Sequence, residues 1–100
     1  MTIHGVMFDL EKLRELSARR GIKRLSLFGS ILRPDFSSDS DIDLLVEFIP
    51  GTRVSLLSIG GIEMELESLL GRRVDLRTPE DLSRYFRKEV IDAARPLYAA

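Results

Sequence analysis

Cysteine and tryptophan are absent from this chain of 100 residues, and histidine occurs once, at His4. The missing cysteines exclude disulfides, thiol nucleophiles and cysteine-ligated zinc, and they fit a reducing compartment. A lone histidine in what reads as a loose N-terminus gives little support to any mechanism that needs an imidazole base. Positive charge is not in excess either: 15 Lys and Arg stand against 16 Asp and Glu, a formal net charge of −1. A general nucleic-acid binder neutralises phosphates with surplus cations, so direct nucleic-acid binding is not expected. No apolar run is long enough to span a membrane, and the N-terminal segment is charged rather than signal-like. A cytoplasmic protein with no membrane association is the expectation.

What remains suits one domain over residues 1–100. Hydrophobic residues make up 44% and charged residues 31%, which allows one core and leaves no room for a second. A domain this small has little surface to spare, so a partner is expected to supply part of the function.

Leu10, Leu13 and Leu16 recur at helical spacing between Asp9, a plausible N-cap, and the stop at Gly21. Ile22 to Phe28 reads as a strand ended by Gly29-Ser30. A short helical turn over Ser30–Arg33 stops at Pro34, and a Ser- and Asp-rich loop comes next. Asp41 to Phe48 is the clearest strand, with Ile42, Leu44, Val46 and Phe48 alternating against Asp41, Asp43, Leu45 and Glu47. After the Pro50-Gly51 turn, Val54 to Leu70 reads as a helix. Gly60-Gly61 in its middle either delays its start or marks a close approach of backbone to something else. Glu63, Glu65 and Glu67 read as its solvated face. Arg72 to Arg77 is a short strand. Thr78-Pro79-Glu80-Asp81 has the chemistry of a helix start, with one or two helices running to Arg95 before Pro96. Tyr85 and Phe86 read as core or interface anchors. Three strands with helices between them predict an α+β, or α/β-like, domain.

Asp41 and Asp43 are two apart on a strand and share its face, opposite the apolar side chains. Asp75 lies opposite Val74 and Leu76 in the same way. If the two strands align their apolar faces, all three carboxylates converge on one side of the sheet. Two carboxylates about 4 Å apart repel by roughly 4 kcal/mol at an effective dielectric of 20. Such a cluster needs a proton or a cation. Carboxylate oxygens are hard ligands, so two Mg²⁺ ions are the natural match, with Mn²⁺ possible. Paired divalent ions suit in-line phosphoryl displacement. Upstream, Gly29 lets a phosphate approach the backbone, the N–H groups of the next turn favour an anion, and Ser30 adds a hydroxyl. Arg33, one turn on, is placed either for phosphate contact or for a solvated helix face. Blander roles exist: Asp75 paired with Arg73 or Arg77, Gly29 as a turn glycine, Ser30 as an N-cap, and Arg19-Arg20 and Arg72-Arg73 as surface charge.

The string LFGSILRPDFSSDSDIDLLVEF resembles the Gly-Ser then Asp-x-Asp signature of the DNA polymerase β-like nucleotidyltransferase superfamily. The later VDLRTPEDLSRYFRKEV is similar to the third-carboxylate strand and C-terminal helix of its smallest branch. That branch is the minimal nucleotidyltransferases, the MNT-domain antitoxins that pair with HEPN-domain toxins. The resemblance implies a short mixed sheet with helices on one face. It implies that Gly29 and Ser30 bind the triphosphate of ATP, that Asp41 and Asp43 bind metal ions, and that Asp75 is the third carboxylate, a ligand or a base. The implied reaction is transfer of AMP onto a tyrosine of a HEPN toxin. A second possibility is a non-catalytic antitoxin that neutralises its partner by contact alone.

Overall fold

The computed structural model describes every residue from Met1 to Ala100. The chain enters its fold through a small hairpin. Strands β1 (Thr2–Ile3) and β2 (Val6–Met7) pair antiparallel about His4-Gly5, where both residues take positive φ. Val6 and Phe8 are buried and the His4 ring lies 5.3 Å from that of Phe36, so this terminus is docked rather than loose. Two inward positions are too few to register as a periodic signal.

Helix α1 (Leu10–Arg19) starts where Asp9 accepts a hydrogen bond from the Lys12 N–H at 3.2 Å. It ends before Gly21, whose φ of 70° is left-handed. Strand β3 (Ile22–Phe28) leads into a 3₁₀ turn at Gly29–Leu32, and then come β4 (Ile42–Phe48), α2 (Leu56–Leu70) and β5 (Val74–Arg77). A 3₁₀ turn at Pro79–Asp81, helix α3 (Arg87–Ala93) and strand β6 (Arg95–Ala99) complete the chain.

The main sheet has the order β5-β4-β3-β6. Its β4–β5 pair is parallel, bridged by α2, and the other pairs are antiparallel. The sheet is mixed, as expected, but it has four strands rather than three. The fourth is β6: the helix does stop before Pro96, as expected, but the chain continues as a strand that was not expected. Pro96 sits in an edge strand, opposite Ser26, where the register shifts; there its missing N–H costs no ladder bond. The helix start at Thr78 also gives less than expected. Asp81 does accept from the Thr78 N–H at 3.1 Å, but the turn stops at Asp81.

The register aligns the apolar faces: Leu25 with Val46, Leu27 with Leu44, Ile42 with Val74, Leu44 with Leu76. Helices α1 and α2 cover that one face through Leu13, Leu16, Ile62, Leu66 and Leu70, all in one core cluster. Each such burial contributes about 1.5–3 kcal/mol. Helix α2 runs unbroken through Gly60-Gly61, helped by a capping box between Ser55 and Ser58. A Cβ on Gly61 would stand 3.2 Å from the Arg20 guanidinium, so the glycine makes room for that side chain. Arg19 and Arg20 both reach Glu65. Glu63 and Glu67 are not merely solvated. Their carboxylates accept the N–H groups of Leu76 at 3.1 Å and Val74 at 3.0 Å, covering the outer edge of β5. No helix is long and apolar enough to cross a membrane.

Candidate active site

The face of the sheet opposite α1 and α2 carries the acids. Asp43 lies directly beside Asp75 in the parallel β4–β5 register, and beside Phe28 in the antiparallel β3–β4 register. Asp41 precedes β4 by one residue, at the point where the Ile42 N–H donates to the Arg73 carbonyl at 2.9 Å. Of the three acids, the register brings Asp43 and Asp75 side by side, through a parallel pairing that sets residue 43 against residue 75 with no slip, whereas Asp41 stands one residue before the strand.

Gly29 is required here twice over. Its φ of 72° is left-handed, and a Cβ at this position would overlap the Asp43 Oδ2. The turn and the carboxylate are thus in van der Waals contact. Asp43 titrates above the usual carboxylate range. Burial is the main cause and the neighbouring charge of Asp75 the next; Asp41 pushes the same way, while the Ser30 backbone N–H and Arg77 oppose it. The Ser30 backbone N–H expected to meet a phosphate is thus also one of the groups that favour the Asp43 anion.

The other two acids have counter-ions. Arg77 grips Asp75 through two bonds, Nε–Oδ1 at 3.0 Å and Nη2–Oδ2 at 3.3 Å. Arg73 Nε lies 3.2 Å from Asp41 Oδ1. As they stand, no three acids or histidines converge closely enough to hold one ion. The donor set nonetheless fits a divalent cation. It is all hard oxygen, it concentrates negative charge, and its central member is destabilised as an anion by its own surroundings. Guanidinium groups stand where cation charge is needed. Arg33 is largely exposed, and its Nε lies 3.6 Å from Asp35 Oδ1.

Three features go beyond the sequence. Arg72 donates to the Ser37 and Ser40 carbonyls at 3.0 and 2.7 Å and stacks over Phe36, so it clasps the loop that delivers Asp41. A double-arginine dipeptide carries no sign of which member does this. Of the two arginines flanking Asp75 in sequence, Arg77 is the one that pairs with it. Tyr85 and Phe86 are 76% and 61% exposed and so are not core anchors.

Residues 10–98 match the family described as a nucleotidyltransferase domain, and the chain belongs to that family. It is similar to the protein adenylyltransferase MntA of Thermococcus cleftensis, at 41% identity over 80 residues, or 78% of this chain and 77% of that one. A solved structure of a candidate minimal nucleotidyltransferase is 40% identical, with a TM-score of 0.69 over 89% of this chain and 96% of the other. A complex of a tri-AMPylated Shewanella oneidensis HEPN toxin with an MNT antitoxin shares the fold at 22% identity. There the TM-score is 0.63, over 91% of this chain and 70% of that one. The chain is thus a nucleotidyltransferase of the minimal type, and the sheet described above is that fold.

Proposed function

We propose that this protein transfers AMP from ATP to a tyrosine hydroxyl of a HEPN-family toxin and so acts as its antitoxin in the cytoplasm. The observation that carries the reading is the Asp43–Asp75 register beside the Gly29-Ser30 turn. The Thermococcus relative, named as a protein adenylyltransferase, supports the reaction class. The AMP-bearing toxin in the Shewanella complex supports a HEPN toxin as the partner that receives the AMP.

In this reading Gly29 and Ser30 receive the β- and γ-phosphates through backbone N–H groups and the Ser30 hydroxyl, with Arg33 at the outer end. Asp41, Asp43 and Asp75 would hold two Mg²⁺ ions, or Mn²⁺; when bound, these supply charge neutralisation at the attacking and leaving oxygens. Asp75 also takes the proton of the acceptor hydroxyl. The hydroxyl oxygen bonds to the α-phosphorus, the bond from that phosphorus to the bridging oxygen breaks, and pyrophosphate leaves with the electron pair. Arg73 and Arg77, which hold Asp41 and Asp75 in the free chain, would have to give up those carboxylates for the acids to hold metal ions.

The test incubates the chain with a HEPN partner, Mg²⁺ and ATP labelled at the α-phosphate. Label is expected on the partner's tyrosine, and on none of it with Asp43→Ala. Label that never reaches the partner, or that persists in the variant, refutes the reading. A second reading, neutralisation by contact alone, is favoured by one observation: Asp41 and Asp75 are already satisfied by Arg73 and Arg77. Full protection of cells by the Asp41→Ala, Asp43→Ala double variant would decide for it.

A further inference from the structure

The acids occupy one side of β3, and on the other side a cavity of about 490 Å³ opens between the Gly29–Leu32 turn and α3. Phe28, Leu32, Val90 and Ala93 supply its apolar lining, and Gly29, Arg33 and Glu89 line it too. We infer that this cavity is the nucleobase pocket, taking an aminopurine whose exocyclic amine donates to Glu89. The inference rests on the reading of the site as a triphosphate-binding centre and adds where the base lies and what recognises it.

Position is the first argument. Phe28 is the register neighbour of Asp43 and also a wall of the cavity, and Gly29 touches the Asp43 carboxylate and lines the cavity too. A nucleotide with its phosphates on Gly29-Ser30 has this space within reach of its sugar. The other two cavities are misplaced. One lies between α1 and α2, among Lys12, Glu15, Arg19 and Glu65, on the covered face of the sheet. The other is lined by Glu47, Phe48 and Glu80, at the end of β4 away from Asp41 and Asp43 and roughly 15 Å along the strand.

Chemistry is the second argument. The volume falls in the range of about 300–1,000 Å³ common to small-molecule sites, and apolar walls with one or two polar groups are their usual lining. A flat aromatic base suits Phe28 and Leu32 on one side and the α3 face on the other. Glu89, Val90 and Ala93 share that helix face, and the small Ala93 side chain is what leaves the room. The Glu89 carboxylate forms no ion pair within the chain, whereas Lys88 is paired with Asp92 and Arg33 with Asp35. A carboxylate only accepts, so the base edge that meets it must donate. The amino group of a purine does so, and a carbonyl edge is repelled.

The experiment measures equilibrium binding by calorimetry with Mg²⁺ and three probes: ATP, purine riboside triphosphate, which lacks the amine, and inorganic tripolyphosphate. Ala93→Trp fills the cavity. It is expected to weaken ATP by about 10-fold or more while tripolyphosphate binds as in the parent. The parent is expected to prefer ATP over purine riboside triphosphate by about 10-fold, a preference that Glu89→Ala erases. Should Ala93→Trp lose its circular dichroism, Leu32→Trp fills the same space from the opposite wall. ATP affinity unchanged in the folded filling variant overturns the inference. So does a parallel loss of ATP and tripolyphosphate, or normal ATP binding with transfer to the partner abolished, which would make the cavity an acceptor site. If neither ATP nor tripolyphosphate binds the parent, or if binding ignores Asp43→Ala, the triphosphate reading itself fails and takes this one with it.

Discussion

Two carboxylates in this small protein have opposite surroundings. Glu65, on the helix-covered side, sits between the guanidinium groups of Arg19 and Arg20, which pull its pKa down to about 2. Asp43, on the open side, is half-buried next to Asp75, and its pKa is pushed up. Glu65 is satisfied by its own chain and fastens α2 to the end of α1. Asp43 is frustrated by its own chain, and only positive charge from outside relieves it fully. Frustration of this kind persists in a fold when the resulting site does something the stability of the free protein does not reward.

The sharpest way to break the comparison is to remove the frustrated charge while keeping its shape. Asp43→Asn is expected to lower AMP transfer by about 1,000-fold, the scale of losing a central electrostatic group in a phosphoryl-transfer site. It is also expected to raise the melting temperature measured in EDTA at neutral pH, because burial no longer opposes a charge. The sign comes from linkage. A carboxyl whose folded pKa lies above its unfolded value binds its proton more tightly when folded. It therefore weakens the fold as pH rises through that interval, and the neutral amide does not. A variant both inactive and less stable than the parent would show that Asp43 is a structural group like Glu65. Thermal scans with and without EDTA, together with the labelling assay, separate the outcomes.

Next in size is the turn that presses on Asp43. Gly29→Ala forces a Cβ into left-handed backbone and against the Asp43 carboxylate. The backbone term alone is about 1–2 kcal/mol, or roughly 4–16 °C in melting temperature for a domain of this size. Since the overlap is with the acid, the Gly29→Ala, Asp43→Gly double variant should recover part of the loss, while Gly29→Ala with Glu65→Gln should not. Denaturation of the parent, the three single variants and the two double variants measures the couplings. Additive losses in the first pair would mean that turn and acid do not touch.

The same contrast explains how far the sequence could be read. The adjacency of Asp43 and Asp75 was legible because strand alternation places side chains by counting, and the apolar residues between them fix which face is buried. Asp9 and Gly21 were legible as helix ends for a similarly local reason. The missed parts are those where a distant partner decides. Pro96 ends the helix as read, but nothing local shows that Arg95–Ala99 is a strand until β3 is known to offer it an edge position beside a register shift. Glu63 and Glu67 read as solvated until β5 is known to present outward N–H groups beside the helix. Thr78 and Pro79 start a turn correctly, but whether that turn extends into a helix depends on packing that no local signal encodes. Gly61 is instructive for the same reason: the room it leaves is taken by Arg20, far upstream in the chain, reaching for Glu65, while Gly60 faces open space.

The smallest expected effect tests the satisfied half of the comparison. Glu65→Gln keeps the shape and the packing but removes the charge that Arg19 and Arg20 share. The pairs are partly exposed, so solvent screening leaves about 1 kcal/mol between the parent and the variant at pH 7. The sign is opposite to that of Asp43. A carboxyl whose folded pKa is depressed adds stability that is complete above its unfolded value of 4.5 and is lost as pH falls through about 2. The advantage of the parent in urea denaturation should therefore hold from pH 7 to pH 5, shrink steadily below that, and vanish near pH 2. AMP transfer should not change, because Glu65 lies across the sheet from the acids. A variant that loses transfer at unchanged stability would mean that the two faces communicate, and that the arginine clamp on α2 sets the position of β5 and with it Asp75.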